Sequence, residues 1–270
     1  MDLPRPDQTA DLKPFTGQHA AVTGGGRGIG AAIAEHLAAR GASLTLLGRT
    51  KEPLEAMKAR LHDRYTVPVE AVTADVTDAA QVAAAFDKAK AALGPVQILV
   101  NNAGRGESMP IKRMDLAFLR KMVDINLTST FLCMQQALPA MTAAGYGRIV
   151  NVASTAGLIA YRYVSAYVAS KHAVVGLTKA YALELAKTGI TVNAVCPSYV
   201  ETEMTKDTIA NIVAKTGRGE AETRAELAKY NPQERLIAPE EVATVVSWLA
   251  LPASHSITGL AIPVAGGEVM

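Results

Sequence analysis

The sequence predicts an α/β fold with a single doubly wound parallel sheet and helices on both faces. Three observations carry this. Short apolar runs alternate with longer segments of helical spacing almost throughout. The runs lack polar alternation, as strands covered on both faces do. The 270 residues, 49% apolar and 19% charged, suffice for one large core.

Each element has a local warrant. Residues 1–16, rich in Pro and Asp, read as an N-terminal arm, and 17–270 as a single domain. Residues 19–23 form an apolar run that ends in glycines, a first strand. Ile29, Ile33 and Leu37 follow at helical spacing and Gly41 closes that helix. Strands are expected at 43–47, 67–73, 96–100, 148–153, 191–195 and 261–264. Between them, Leu54, Met57 and Leu61 mark a second helix, and 79–92 a third. Two long helices are expected at about 115–142 and 165–188, and a last one at 240–251. The charged segment 201–235 reads as helical pieces inserted before the last strand, a candidate substrate lid.

Composition excludes several function classes. A formal net charge of +2 and the lack of a Lys/Arg block argue against a nucleic-acid surface. Cys133 and Cys196 sit in apolar runs and read as reduced, buried thiols. The five histidines form no close ligand pair, so no metal is expected. There is no signal-peptide core and no apolar run of membrane-spanning length, so the expected compartment is the cytoplasm.

Thr23-Gly24-Gly25-Gly26-Arg27-Gly28-Ile29-Gly30 joins the first strand to the first helix. A tight turn, a close backbone approach and a helix N-terminus facing an anion are what a dinucleotide pyrophosphate requires. This is a Rossmann-type arrangement. At the end of the second strand, an acidic residue would select NAD; the sequence has Gly48-Arg49 instead. Arg49 and Arg27 together favour NADP(H), without excluding NAD(H). Asp75-Val76 follows the third strand, and Asp75 is either an adenine contact or a helix N-cap.

Tyr167 and Lys171 stand four apart on an expected helix and so share a face. A lysine cation lowers a tyrosine pKa from about 10, which fits a phenol for acid–base work. Ser154 precedes Tyr167 and offers a hydroxyl to a carbonyl oxygen.

The ordered set of motifs resembles the short-chain dehydrogenase/reductase family over nearly the whole chain. It comprises Thr-Gly-x-x-x-Gly-Ile-Gly at 23–30, Asn-Asn-Ala-Gly at 101–104, Asn126, Ser154, Tyr-x-x-x-Lys at 167–171 and Pro-x-x-Val-x-Thr at 197–202. The resemblance implies that Asn101, Asn102, Ala103 and Gly104 flank the cofactor ribose and adenine. It implies that Asn126 interrupts its helix and holds a relay water. Ser154 would bind the substrate oxygen, and Tyr167 would exchange the proton. Lys171 would bond the nicotinamide ribose and depress the phenol pKa. Pro197, the Val200 backbone and Thr202 would hold the carboxamide. Ser198 departs from the family glycine after Pro197 and is expected to shift the backbone there.

Within the family, Asn-Asn-Ala-Gly-Arg at 101–105 and Val-Ala-Ser-Thr-Ala-Gly at 152–157 look like the β-ketoacyl ketoreductases of polyketide and fatty-acid metabolism. Gly106-Glu107-Ser108 replaces the Pro-Gly-Gly of the polyketide enzymes. The implied substrate is a β-ketoacyl thioester. A free ketone or alcohol, such as an aryl ketone, steroid or sugar, is the alternative, and a non-catalytic NADP sensor a more distant one. Leu158, Tyr161, Tyr163, Met204 and Ile209 are candidate cleft residues, and core packing explains each nearly as well. The resemblance implies a homo-oligomer, dimer or tetramer, through the two long helices, with Leu132, Met134, Leu177 and Tyr181 as spare apolar residues.

Overall fold

A computed structural model describes residues 13–270. Positions 1–12 of the expected arm lie outside the described residues. The chain joins the core before position 17, because Phe15 is fully buried and its N–H bonds the Arg40 carbonyl at 3.0 Å.

Seven strands alternate with helices: β1 (His19–Thr23), α1 (Gly28–Ala39), β2 (Ser43–Gly48), α2 (Lys51–Tyr65), β3 (Val69–Thr73), α3 (Ala79–Leu93) and β4 (Ile98–Asn101). Then come α4 (Leu116–Val123), α5 (Ser129–Ala144), β5 (Gly147–Val152), α6 (Ser165–Glu184) and β6 (Ile190–Pro197). The chain continues with α7 (Glu203–Thr216), α8 (Glu220–Ala228), α9 (Pro239–Ala250) and β7 (Ala261–Val264). All strands pair in parallel, in the order β3-β2-β1-β4-β5-β6-β7. Their near-continuous apolar residues are buried by α1, α2 and α9 on one face and by α3, α5 and α6 on the other. The order reverses between β1 and β4, and a crevice at such a switch point is where doubly wound sheets bind ligands.

The helix expected over 115–142 is not continuous. A π-helical turn, Asp124–Thr128, separates α4 from α5. Its cause is Asn126, whose Nδ2 donates to the Met122 carbonyl at 2.9 Å and the Arg105 carbonyl at 3.0 Å. The segment 201–235 forms α7 and α8 and returns to the sheet stem through a parallel bridge, Val200 to Ile237.

The apolar faces of the long helices differ in detail from expectation. Met134 is fully buried in the core, and Leu132, Leu177 and Tyr181 pack against it. The large apolar residues left exposed are Leu116 on α4, Phe131 on α5 and Leu183 on α6. Ile209 likewise belongs to a small core with Leu227 and Leu236, whereas Met204 and Tyr163 are exposed. Among the described residues no helix is long and apolar enough to cross a membrane, and no group of His, Cys, Asp or Glu is placed to hold a metal.

Candidate active site

The glycine turn lies at the C-terminal end of β1. Gly24 takes φ +67° and Gly28 φ +50°, a region glycine enters without strain. A Cβ on Gly30 would stand 2.1 Å from the Gly24 carbonyl oxygen, so only glycine lets α1 start this close to the turn. Asn102 ties the turn to the end of β4: its Nδ2 donates to the Thr23 carbonyl at 2.9 Å. The Asn102 and Ala103 N–H groups both donate to Thr23 Oγ1 at 2.9 Å. Asn101 does not reach this loop; it bonds Asn151 inside the sheet.

The start of α1 is open. Its N-cap, Arg27, makes no side-chain cap, and no acidic residue occupies the first turn. The free N–H groups and the positive helix end therefore fit an anion. Gly28 is exposed, and a Cβ there would press Thr202 Cγ2 at 3.2 Å. The cradle that a cofactor pyrophosphate needs is thus kept clear. Ile29 anchors the loop by packing on the core.

Ser154, Tyr167, Lys171 and Asn126 converge beside this turn. Ser154 follows β5 and caps a 3₁₀ turn, accepting from the Ala156 N–H at 3.1 Å; its hydroxyl reaches the Pro197 carbonyl at 3.4 Å. Helix α6 presents Tyr167 and Lys171 on one face, with the ammonium 5.8 Å from the phenol ring centre. Lys171 Nζ is buried and donates to the Val152 carbonyl at 2.8 Å. Gly104 is the hinge of the cluster. A Cβ there would meet Asn126 Oδ1 at 2.8 Å and Lys171 Nζ at 3.4 Å.

Asn126 is spent on main chain. Besides its two donated bonds, Oδ1 accepts the Arg105 N–H at 3.0 Å. Both Nδ2 donors are used, and Oδ1 keeps one lone pair. The main-chain carbonyl accepts Thr130 Oγ1.

The expected lowering of the phenol pKa is not what the protein's own groups produce. Burial raises Tyr167, the Ser154 hydroxyl bonded to it pulls back, and Cys196 adds a smaller upward push. Burial also lowers Lys171 to about 8. The reason is shared desolvation: two ionisable groups lose hydration in one apolar pocket, and the ammonium bonds a carbonyl instead of the phenol.

Just after β2, Arg49 lines a cleft of about 370 Å³ with Asp75, Arg105, Arg120, Lys121 and Asp124. Four cations against two carboxylates make it suited to a phosphate. Arg27 is exposed and is not among the residues lining it. Asp75 does not cap α3; Asp78 does. Instead Asp75 Oδ1 accepts the Thr77 N–H and hydroxyl, at 2.9 and 2.8 Å, which hold its carboxyl below the usual range. The Val76 side chain is core, and Val76 is not among the residues lining the cleft.

Pro197 ends β6. The Ser198 N–H donates to the Val264 carbonyl at 3.1 Å, and Ser198 has no positive φ, so the family glycine is replaced without strain. Val200 is buried, and its carbonyl accepts Thr205 Oγ1 at 2.6 Å. Thr202 is the N-cap residue of α7, yet its hydroxyl makes no cap and reaches the Val200 carbonyl at 3.3 Å.

Sequence reasoning missed two neighbours of the site. Gly106 lies where a Cβ would stand 3.6 Å from the Tyr167 ring. Glu268, from the C-terminal segment, accepts a hydrogen bond from Tyr161. Neither contact has a local signal; the Gly106-Glu107-Ser108 departure was the only pointer to the first.

Comparison with known proteins agrees with this geometry. The family model "short chain dehydrogenase" matches residues 18–212. A Streptomyces violaceoruber protein assigned as a ketoacyl reductase of the granaticin polyketide synthase is 40% identical, covering 96% of each chain. The levodione reductase of Leifsonia aquatica is 36% identical, covering 94% of this chain and 95% of its own. Among solved structures, a variant of actinorhodin polyketide ketoreductase with NADPH superposes at a TM-score of 0.89, with 37% identity, covering 93% of this chain and 97% of its own. The chain is therefore a member of the short-chain dehydrogenase/reductase family, an oxidoreductase that interconverts alcohols and carbonyls.

Proposed function

We propose that this protein is an NADPH-dependent ketoreductase that reduces the 3-oxo group of a β-ketoacyl thioester. The carrying observation is the convergence of Ser154, Tyr167 and Lys171 beside the open glycine turn, in a chain similar to polyketide ketoreductases.

When bound, the nicotinamide cofactor supplies the hydride. The main chain at Gly24, Gly28, Ile29 and Gly30 receives the pyrophosphate at the α1 N-terminus. Arg49, with Arg27 from the turn, meets the 2′-phosphate, and Asp75 and Val76 face the adenine. Asn102, Ala103 and Gly104 flank the ribose. Pro197, Val200 and Thr202 hold the carboxamide, and Lys171 bonds the nicotinamide ribose.

Ser154 and Tyr167 donate hydrogen bonds to the substrate oxygen as it gains charge. Tyr167 then gives up its proton. A phenol raised by burial stays protonated at neutral pH, which suits a general acid in the reducing direction. Asn126 fixes the Gly104–Arg105 main chain against Lys171 and holds the relay water.

Helices α7 and α8 form the lid over the substrate. The protein works as a homo-oligomer, with exposed Phe131 on α5 and Leu183 on α6 at the contact.

The test is NADPH oxidation with acetoacetyl-CoA beside a panel of free ketones. Turnover of the thioester is expected. Turnover confined to free ketones favours the second reading, a small-molecule ketone reductase, which the similarity to levodione reductase supports.

A further inference from the structure

A carboxylate, Glu268, is linked through Tyr161 to the residue after Ser154, and the mechanism does not use it. Tyr161 Oη shares hydrogen bonds with Thr155 Oγ1, at 2.7 Å, and with Glu268 Oε1. A phenol has one proton and a carboxylate only accepts, so Tyr161 donates to Glu268 and accepts from Thr155. Thr155 is the residue after Ser154. Glu268 Oε2 is buried and has no partner among the described residues.

The C-terminal segment is clamped in place. A Cβ on Gly266 would meet Asn231 Oδ1 at 1.9 Å, and one on Gly267 would meet Pro232 at 3.5 Å, both just beyond α8. Tyr230 packs edge-on to Tyr161 at 5.8 Å and against Tyr199 at 5.7 Å. Burial pushes Tyr199 up to about 12, and Tyr230, Glu268 and Tyr167 all add to the rise. Glu268 makes no ion pair with a described cation, and Arg162 beside Tyr161 and Lys229 beside Tyr230 in sequence are solvent-exposed. Without an ion-pair partner its charge is not neutralised by direct contact.

We propose that Glu268 is a charge filter: it disfavours ketones that carry a free carboxylate near the reacting carbonyl and passes uncharged ones, thioesters included. The inference rests on the ketoreductase reading for the position of that carbonyl between Ser154 and Tyr167.

Two matched pairs test it: ethyl acetoacetate against acetoacetate, and cyclohexanone against 4-oxocyclohexanecarboxylate. Each is measured as kcat/KM with NADPH for wild type, Glu268→Gln and Glu268→Lys, after melting curves establish folding. The readout is the neutral-to-acid ratio. Glutamine keeps an acceptor for Tyr161 and removes only the charge, so the ratio should fall about tenfold, and further with lysine. A ratio unchanged in both folded variants, or acids still refused by both, overturns the filter. Wild type that turns over cyclohexanone but not acetoacetyl-CoA, assayed alongside, would end the thioester reading while the ring pair still reads the filter. Failure of every ketone in wild type would overturn the Ser154–Tyr167 assignment and the filter with it.

Discussion

Gly30→Ala is the perturbation whose magnitude the structure constrains best. The new Cβ would lie 2.1 Å from the Gly24 carbonyl oxygen and 2.6 Å from Asn102 Nδ2, where real Cβ contacts essentially never fall below 3.0 Å. Helix and turn must part by about 1 Å. Overpacking of this kind costs about 1–3 kcal/mol. Displacing Asn102 also weakens its bond to the Thr23 carbonyl, worth about 1 kcal/mol. The sum is about 2–4 kcal/mol, which in a chain of this size lowers Tm by roughly 5–15 °C. Gly145→Ala is the control. It follows α5 at φ +60° with nothing within 4 Å of a Cβ, so it meets left-handed strain alone, about 1–2 kcal/mol. Calorimetry and NADPH titration separate the two: both variants melt lower, Gly30→Ala more so, and only Gly30→Ala loses cofactor affinity. A Gly30→Ala protein that melts within about 2 °C of wild type and binds NADPH as tightly would refute the reasoning.

Other outcomes follow from particular side chains. Arg49→Glu places a carboxylate in the basic cleft and should cut kcat/KM for NADPH about 10–100-fold while leaving NADH within about threefold. Equal losses for both cofactors would remove Arg49 from the 2′-phosphate. Asn126→Ala leaves the Arg105 N–H and carbonyl without partners, at about 2–3 kcal/mol, and should lower kcat as well as Tm. A variant with normal kcat would separate the π turn from catalysis. His19 is buried between the Gly94 carbonyl and Thr45 Oγ1, and burial lowers its pKa. The unfolded chain then takes up the proton first, so stability is full above about pH 6.5 and falls as pH drops below it. His19→Gln should flatten that fall in a pH series of melting curves, and an unchanged slope would assign it to other groups.

What was legible in the sequence is what short-range pattern encodes. Buried parallel strands are apolar runs, and each expected strand overlaps an observed one, as 148–153 does β5. The glycine turn was legible because Gly24, Gly28 and Gly30 answer backbone needs that no other residue meets. Periodicity found the segment 115–142 but not its break, since one inserted side chain, Asn126, scarcely disturbs an apolar pattern. Which apolar residue faces out depends on a helix rotation of less than one turn, hence Phe131, three positions before the expected Met134. The direction of the Tyr167 shift depends on how deeply the packed pocket excludes water, which residue spacing does not encode. Tyr161 and Glu268 are 107 positions apart, and only the closed fold brings them together.

The central claim is that Tyr167 delivers the proton to a substrate oxygen held by Ser154. Tyr167→Phe removes one oxygen atom from the ring and keeps its packing. The direct measurement is single-turnover reduction of acetoacetyl-CoA by the NADPH-loaded variant, with NADPH affinity titrated in parallel. The expected result is a fall of about 10²–10⁴-fold in the chemical step with NADPH affinity little changed. A Tyr167→Phe protein that reduces the thioester at the wild-type rate would contradict it.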